Sequence, residues 1–337
     1  MAPPETHAAT PARLAWLDAA RGIGIVLVVL GHILGGLRDA GLIERSGFGA
    51  HLFYAIYSFH MPLFFWLAGS LVDARLAKGY GRFLQATLIG VVWPYFLWGF
   101  LQSLANHLGS AYTNHQYPFD AQRLISFLWQ PPAQFWFLYA LFLLHLLALL
   151  SRHIPRGLCL GAASALSLAA LWAWPESSSI LVWTAMPAWA YFAGCLLGNA
   201  PLWPGEAALR RVAPVLVPLL LLACGTVSIL VQDHGDAPGL NLPILPATLA
   251  GVGAVILACR CWGQHLSGLQ CLGQFSMSIY VLHVLIVAGT RIALVKLLHI
   301  EALWLILPSQ LLLGIGVPLA LAALARRWNI NRLLGLG

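Results

Sequence analysis

The first strongly apolar run of the chain carries three side chains able to do chemistry. It reads Trp16-Leu-Asp-Ala-Ala-Arg-Gly-Ile-Gly-Ile-Val-Leu-Val-Val-Leu-Gly-His32, with Asp18 and Arg21 near its start and His32 deep inside. A charge held at the centre of a membrane helix costs ~2.5–3.5 kcal/mol on insertion scales, so an ionisable group kept there is a functional candidate. At about 100° per residue, Arg21 and His32 lie within about 20° of one helix face, and Asp18 about 40° from His32. A rise of 1.5 Å per residue sets His32 roughly 16 Å deeper than Arg21. That spacing suits a long donor with its anionic head at the membrane surface and its reactive end buried. Taken singly, Arg21 also reads as an interfacial anchor and His32 as a histidine bonded to a neighbouring helix; the shared face with Asp18 favours a site.

A second run, Tyr57-Ser-Phe-His60-Met-Pro62, continues to Gly69. His60 falls midway along it, at a depth comparable to His32. Pro62 frees the carbonyl of Ser58 and is expected to kink the helix, and a kink beside a polar residue often marks a cavity. A later run places Ser276, Tyr280 and His283 at offsets of four and seven, on one face that either flanks the donor or joins helices. Arg75, Lys78 and Arg82, ahead of Trp93-Pro94-Tyr95, read as topology signals or as a phosphate cradle. His145, near a span end, and Arg291, able to snorkel outward, are weaker candidates.

The elements that must position these residues follow from composition. The chain has 337 residues, 60% hydrophobic and 9% charged, with a mean hydropathy of +0.81; a soluble domain carries about 25% charged residues. So little charge cannot cover a water-facing surface. Apolar stretches near 20 residues recur throughout, each able to cross roughly 30 Å of hydrocarbon. Ten spans are predicted, at about 22–37, 50–71, 83–105, 135–151, 157–174, 179–198, 213–231, 242–259, 276–298 and 302–325. The fold class is therefore an all-α polytopic membrane protein. The six cysteines lie mostly in or beside these runs and read as small core residues, with neither a disulfide framework nor a zinc site.

An even span count puts both termini on one side. With that side inside, 13 of the 18 Lys and Arg residues fall at cytoplasmic ends, against five (Arg38, Arg45, Arg123, Arg291, Lys296), so the positive-inside rule assigns both termini to the cytoplasm. The same rule accounts for the basic excess without nucleic acid. Met1 to Leu17 is Pro- and Ala-rich, lacks an apolar core and does not read as a cleavable signal peptide. The organisation is a cytoplasmic segment 1–21, a transmembrane domain 22–325 and a cytoplasmic tail 326–337. Two outside loops bear polar and aromatic residues suited to a sugar: His107, His115, Tyr117 and Asp120 in one, Asp233, His234 and Asp236 in the other. Loops of ordinary membrane proteins look the same.

These motifs together resemble the membrane acyltransferase-3 family. The likeness rests on Leu17-Asp18, on Arg21 and His32 separated by ten residues with Gly31 before the histidine, and on Phe59-His60-Met61-Pro62-Leu63-Phe64-Phe65 with Gly69. Trp136-Phe137-Leu138 and Ser276, Tyr280 and His283 extend it. Trp16–His32 followed by Phe59–Phe65 is most similar to the branch of fucose O-acetylases and exopolysaccharide acetyltransferases. The resemblance implies about ten membrane helices, an acetyl-CoA donor and transfer to glycan hydroxyls, with His32 matching the essential histidine and Arg21 the motif arginine. Many members carry two arginines spaced by two residues near the third span; here Arg75 with Lys78, and Arg82, stand nearest, and a lysine does not bind phosphate bidentately.

On that resemblance the expected protein is a bacterial inner-membrane O-acetyltransferase, moving acetyl from cytoplasmic acetyl-CoA to a glycan or lipid-linked oligosaccharide, in contact with membrane lipid and with other envelope glycan-assembly proteins. Acyl transfer to an alcohol needs a base, oxyanion donors and a thioester in line. His32 is expected to act as base or to carry the acyl group itself, with Asp18 orienting Arg21 and with Tyr57, His60, Tyr280 or His283 supplying donors or lining the acceptor path. Arg21, Lys78 and Arg82 would bind CoA phosphates, and Ser276, Tyr280 and His283 would flank the donor. The rival expectation is a secondary transporter or glycan flippase, although no internal repeat is visible.

Overall fold

A computed structural model describes residues 12–44, 46–110, 119–173, 179–198, 205–232 and 241–337, with no strand among them. Ten helical segments there are long and apolar enough to cross a membrane: Ala15–Asp39, Phe48–Leu76, Tyr80–Leu108, Ala133–Leu150, Arg156–Ala173, Ile180–Leu197, Ala207–Val231, Leu242–His265, Ser276–Leu297 and Leu303–Arg327. They are called here the first to tenth spans and coincide one for one with the ten expected from sequence. The chain is a multi-pass membrane protein. Its outer surface carries what lipid wants: Leu219, Leu222 and Leu230 of the seventh span and Trp172 and Trp304 elsewhere are all exposed. Five of the six cysteines are buried, and Cys271 is exposed.

The first, second, fourth, sixth and eighth spans are the most buried. With no water to drive helices together in lipid, close packing and polar glue must do so. Small residues make the approach possible: a β-carbon at Gly194 would collide with the Trp66 carbonyl, and one at Gly273 with the Asp18 carbonyl. The second span therefore lies backbone to backbone on the sixth, and the first on the short helix Ser267–Gln274. Pro62 sits inside a helix continuous over Phe48–Gly69. The Ser58 carbonyl it deprives is taken up by the Thr248 hydroxyl of the eighth span at 2.7 Å, which turns a local defect into an interhelical bond.

The third span is interrupted by a π-helical turn at Leu88–Val92, and the ninth ends in one at Ile292–Leu297. The former precedes Pro94, whose missing N–H leaves the carbonyl of Gly90 without its helical donor; a wider turn absorbs that defect. Beyond the tenth span the chain folds back on the bundle. Indole N–H groups of Trp93 and Trp98 donate to the Leu333 and Leu334 carbonyls, each at 2.8 Å, and Ser278 donates to Leu336 at 2.6 Å. Residues near Arg21 and Gly337 line one cavity, so the first span begins on the face where the described chain ends, here called the terminal face.

Candidate functional site

The face of the first span that bears Asp18, Arg21 and His32 points inward, and it meets two cavities. The larger, of about 620 Å³, lies near the terminal face. Arg21 lines it together with Arg75 at the end of the second span, Lys78 in the connection that follows and Arg82 at the start of the third span. Arg21 donates to Asp18 Oδ1 at 3.4 Å, and Gln274 donates to the other carboxylate oxygen at 3.5 Å. Asp18 thus holds Arg21 at the start of the span and, fourteen residues from His32, stands roughly 21 Å from it along the helix. The same cavity is also lined by the apolar and aromatic side chains of Met61, Phe64 and Phe137, with Ser276 and Tyr280. Four cations over an apolar shaft suit a ligand with an anionic head and a slender arm.

His32 does not line that cavity. It forms the base of a second one, of about 290 Å³, that opens toward the opposite face and is bordered by Tyr57, Arg38, Asp39 and Arg291. The two cavities share no lining residue among those described. Between them stand Tyr280 and His283 of the ninth span. The Tyr280 ring is 6.1 Å from that of His283, and His283 is 4.9 Å from His32. Tyr280 is held by its hydroxyl, which donates to the Gln134 carbonyl. Gln134 is itself fixed by reciprocal amide bonds with Gln102 at 3.0 and 2.7 Å.

His283 is fully enclosed, and its Nδ1 faces the carbonyls of Tyr280 at 2.8 Å and Ile279 at 3.0 Å. Carbonyls only accept, so Nδ1 carries the hydrogen and Nε2 is left as an acceptor. That Nε2 is buried and has no hydrogen-bond partner among the described residues, and the ring that carries it lies 4.9 Å from that of His32. A buried acceptor without a donor is rare and calls for a reason.

The expected residues therefore divide. Arg21, Lys78, Arg82, Ser276 and Tyr280 come together on the larger cavity, joined by Arg75; His283 leaves that group and packs on His32. His60, at His32's depth as expected, lines neither cavity: it is 3% exposed, its Nδ1 donates to the Ile56 carbonyl at 2.8 Å, and its ring lies 4.9 Å from Tyr57. His145 proves more central than its place near a span end suggests. It lines the larger cavity, bonds the Tyr191 hydroxyl through Nδ1 at 3.1 Å and stacks on Phe83. A polar residue in the run Trp136–Leu150 was the available signal.

Arg291 does not simply snorkel. It donates to the Gly36 carbonyl, which it reaches because Gly36 has no β-carbon to obstruct it. Of the loop residues, Asp120 caps the helix Ala121–Ser126 by accepting from the Arg123 amide at 2.7 Å, and His107 stacks on Phe119. His115, Tyr117, Asp233, His234 and Asp236 lie outside the described residues.

Comparison with known proteins gives one match. The acyltransferase-3 family model, described as an acyltransferase domain, matches residues 14–327. No curated protein and no solved structure matches the chain.

Proposed function

The chain belongs to the acyltransferase-3 family, and from that premise we propose that it is an O-acetyltransferase of the bacterial cytoplasmic membrane, moving acetyl from acetyl-CoA to a sugar hydroxyl of an exported or cell-surface glycan. The observation that carries this reading is the place of His32, at the base of one cavity and separated by His283 and Tyr280 from another lined by four cations. A donor with phosphates and a narrow arm suits the terminal side, and a polyol suits the other.

In this reading both termini are cytoplasmic, which puts the cationic cavity where acetyl-CoA is made. Arg21, steadied by Asp18, and Arg75, Lys78 and Arg82 hold the phosphates; the lysine offers a point charge and the arginines planar forks. The aromatic shaft excludes water around the arm. Bound there, acetyl-CoA supplies an activated acyl group, whose thiolate leaves once the sugar oxygen has attacked the carbonyl. His32 takes the proton of that hydroxyl as the C–O bond forms, and returns it to the departing sulfur, so that ester and thiol are the products. His283 Nε2 accepts from the second nitrogen of His32 as it becomes cationic, which fixes the ring and spreads its charge. Movement of the Tyr280 side chain off Gln134 would join the two cavities.

Purified protein in detergent or nanodiscs, given radiolabelled acetyl-CoA, tests the reading. Binding and slow consumption of acetyl-CoA, accelerated by glycan extract, is the expected result. Substrate movement across sealed vesicles with no acetyl-CoA consumption would instead favour a transporter, for which two cavities on opposite faces would be the alternating openings.

A further inference from the structure

The smaller cavity carries charge that acyl transfer itself does not require. Arg38 and Arg291 both border it, and among the described residues neither makes an ion pair. They are two of only five basic residues assigned to the outer half of the chain, where the positive-inside rule disfavours them. Each is also held in place. The Arg38 guanidinium lies 4.6 Å from the centroid of Phe53, whose ring in turn packs 4.3 Å from that of Tyr57. Arg291 spends one N–H on the Gly36 carbonyl, and a guanidinium has five. Asp39, exposed at the same rim, is the one acidic group there, leaving an excess of one positive charge.

Spacing along the first span gives the site a scale. Gly36 stands about 6 Å and Arg38 about 9 Å from His32 along the helix axis. A hydroxyl at His32 and an anionic group at the arginines are then about one sugar ring apart. Tyr57, 6.3 Å from His32 in ring-centroid distance, provides the aromatic side of that space.

We propose that the smaller cavity is an acceptor site for an anionic saccharide, with Arg291 and Arg38 binding its carboxylate or phosphate and thereby choosing which hydroxyl meets His32. This rests on the acyltransferase reading and adds the substrate class to it. The shared chemistry is a sugar bearing a negative oxygen group; Asp39 is free to accept from a neighbouring hydroxyl.

The test measures binding, so that it does not depend on turnover. Purified full-length protein in phosphatidylcholine nanodiscs is titrated with methyl β-glucuronide, glucose 1-phosphate and methyl β-glucoside, and separately with acetyl-CoA. At least one of the two anionic sugars should bind at least tenfold more tightly than the neutral one, and whichever prevails identifies the anionic group. Arg291→Gln should erase the difference, Arg291→Lys should restore part of it, and none should alter acetyl-CoA affinity. Because Arg291 also ties two helices together, Arg38→Gln provides a second variant that keeps that bond, and it should weaken the preference severalfold. Equal binding of neutral and anionic sugars overturns the proposal, as does no measurable binding of either anionic sugar or a preference that survives both glutamine variants. Loss of sugar discrimination in phosphatidylglycerol nanodiscs overturns it too, by assigning the arginines to a lipid headgroup. Failure to bind acetyl-CoA would count against the acyltransferase reading, whereas failure to discriminate by charge counts only against this one.

Discussion

His283 has one ring nitrogen committed to backbone carbonyls and the other buried without a partner among the described residues, an arrangement that costs stability unless something uses it. If it steadies His32, His283→Ala should lower kcat for acetyl transfer by about 10–100-fold, leave KM for acetyl-CoA unchanged and shift the pH profile of turnover, since the proton-taking group has lost its acceptor. A raised KM with normal kcat would return His283 to the donor-binding group in which sequence spacing first placed it. The cations make the opposite forecast. Arg21→Ala removes a charge-assisted contact worth roughly 1.5–3 kcal/mol, so acetyl-CoA affinity measured by titration should fall at least tenfold, and His32→Ala should leave that affinity near wild type. At this scale the sequence disclosed which residues share a face of the first span, because helix period alone decides that. It did not disclose that Arg21 and His32 face different cavities. What separates them is Tyr280 and His283, side chains about 250 positions away whose placement depends on how the ninth span packs on the first. The surroundings of His60 were hidden for a similar reason: its depth is set by its position along the helix, but its bond from Nδ1 to the Ile56 carbonyl is seen only in the folded chain.

The helices themselves were legible almost in full, since length and hydropathy are enough to define a span. Their contacts were less so, although two of them carry sharp consequences. Thr248→Val, nearly isosteric, leaves the Ser58 carbonyl that Pro62 deprives without a donor and should cost about 1–3 kcal/mol, seen as earlier thermal unfolding in detergent; Thr248→Ser should restore most of it. An unchanged melting temperature in the valine variant would mean the broken bond is met some other way. Gly194→Leu puts a side chain where the Trp66 carbonyl lies, forcing the second and sixth spans apart. The expected result is loss of folded protein from the membrane fraction, whereas Gly161→Leu, in open space on the fifth span, should be tolerated. Sequence pointed to Pro62 as a kink that frees the Ser58 carbonyl, but the bond to that carbonyl from Thr248, 190 positions beyond Ser58, is a tertiary event that no local pattern encodes. The fold-back of residues 328–336 onto Trp93 and Trp98 belongs to the same class.

For the whole molecule, the proposed function amounts to a relay with a face for each substrate, His32 at the meeting point and the terminal face in the cytoplasm. The charge count of the loops predicted that orientation, and reporter fusions check it: a fusion after the last residue should report cytoplasm, and one within residues 106–134 the exterior. The claim that depends on all of this is that a histidine within the membrane serves as the base for a donor from one side and an acceptor from the other. The most direct measurement uses membrane vesicles of both orientations from cells that carry the native glycan, supplied with radiolabelled acetyl-CoA, for wild type and for His32→Gln, which can hydrogen-bond but cannot take a proton near pH 7. Inside-out vesicles of the wild type should label the glycan and right-side-out vesicles should not. His32→Gln should label neither while inserting normally and binding acetyl-CoA with wild-type affinity. Labelling by His32→Gln at the wild-type rate, or labelling of right-side-out wild-type vesicles, would contradict the account.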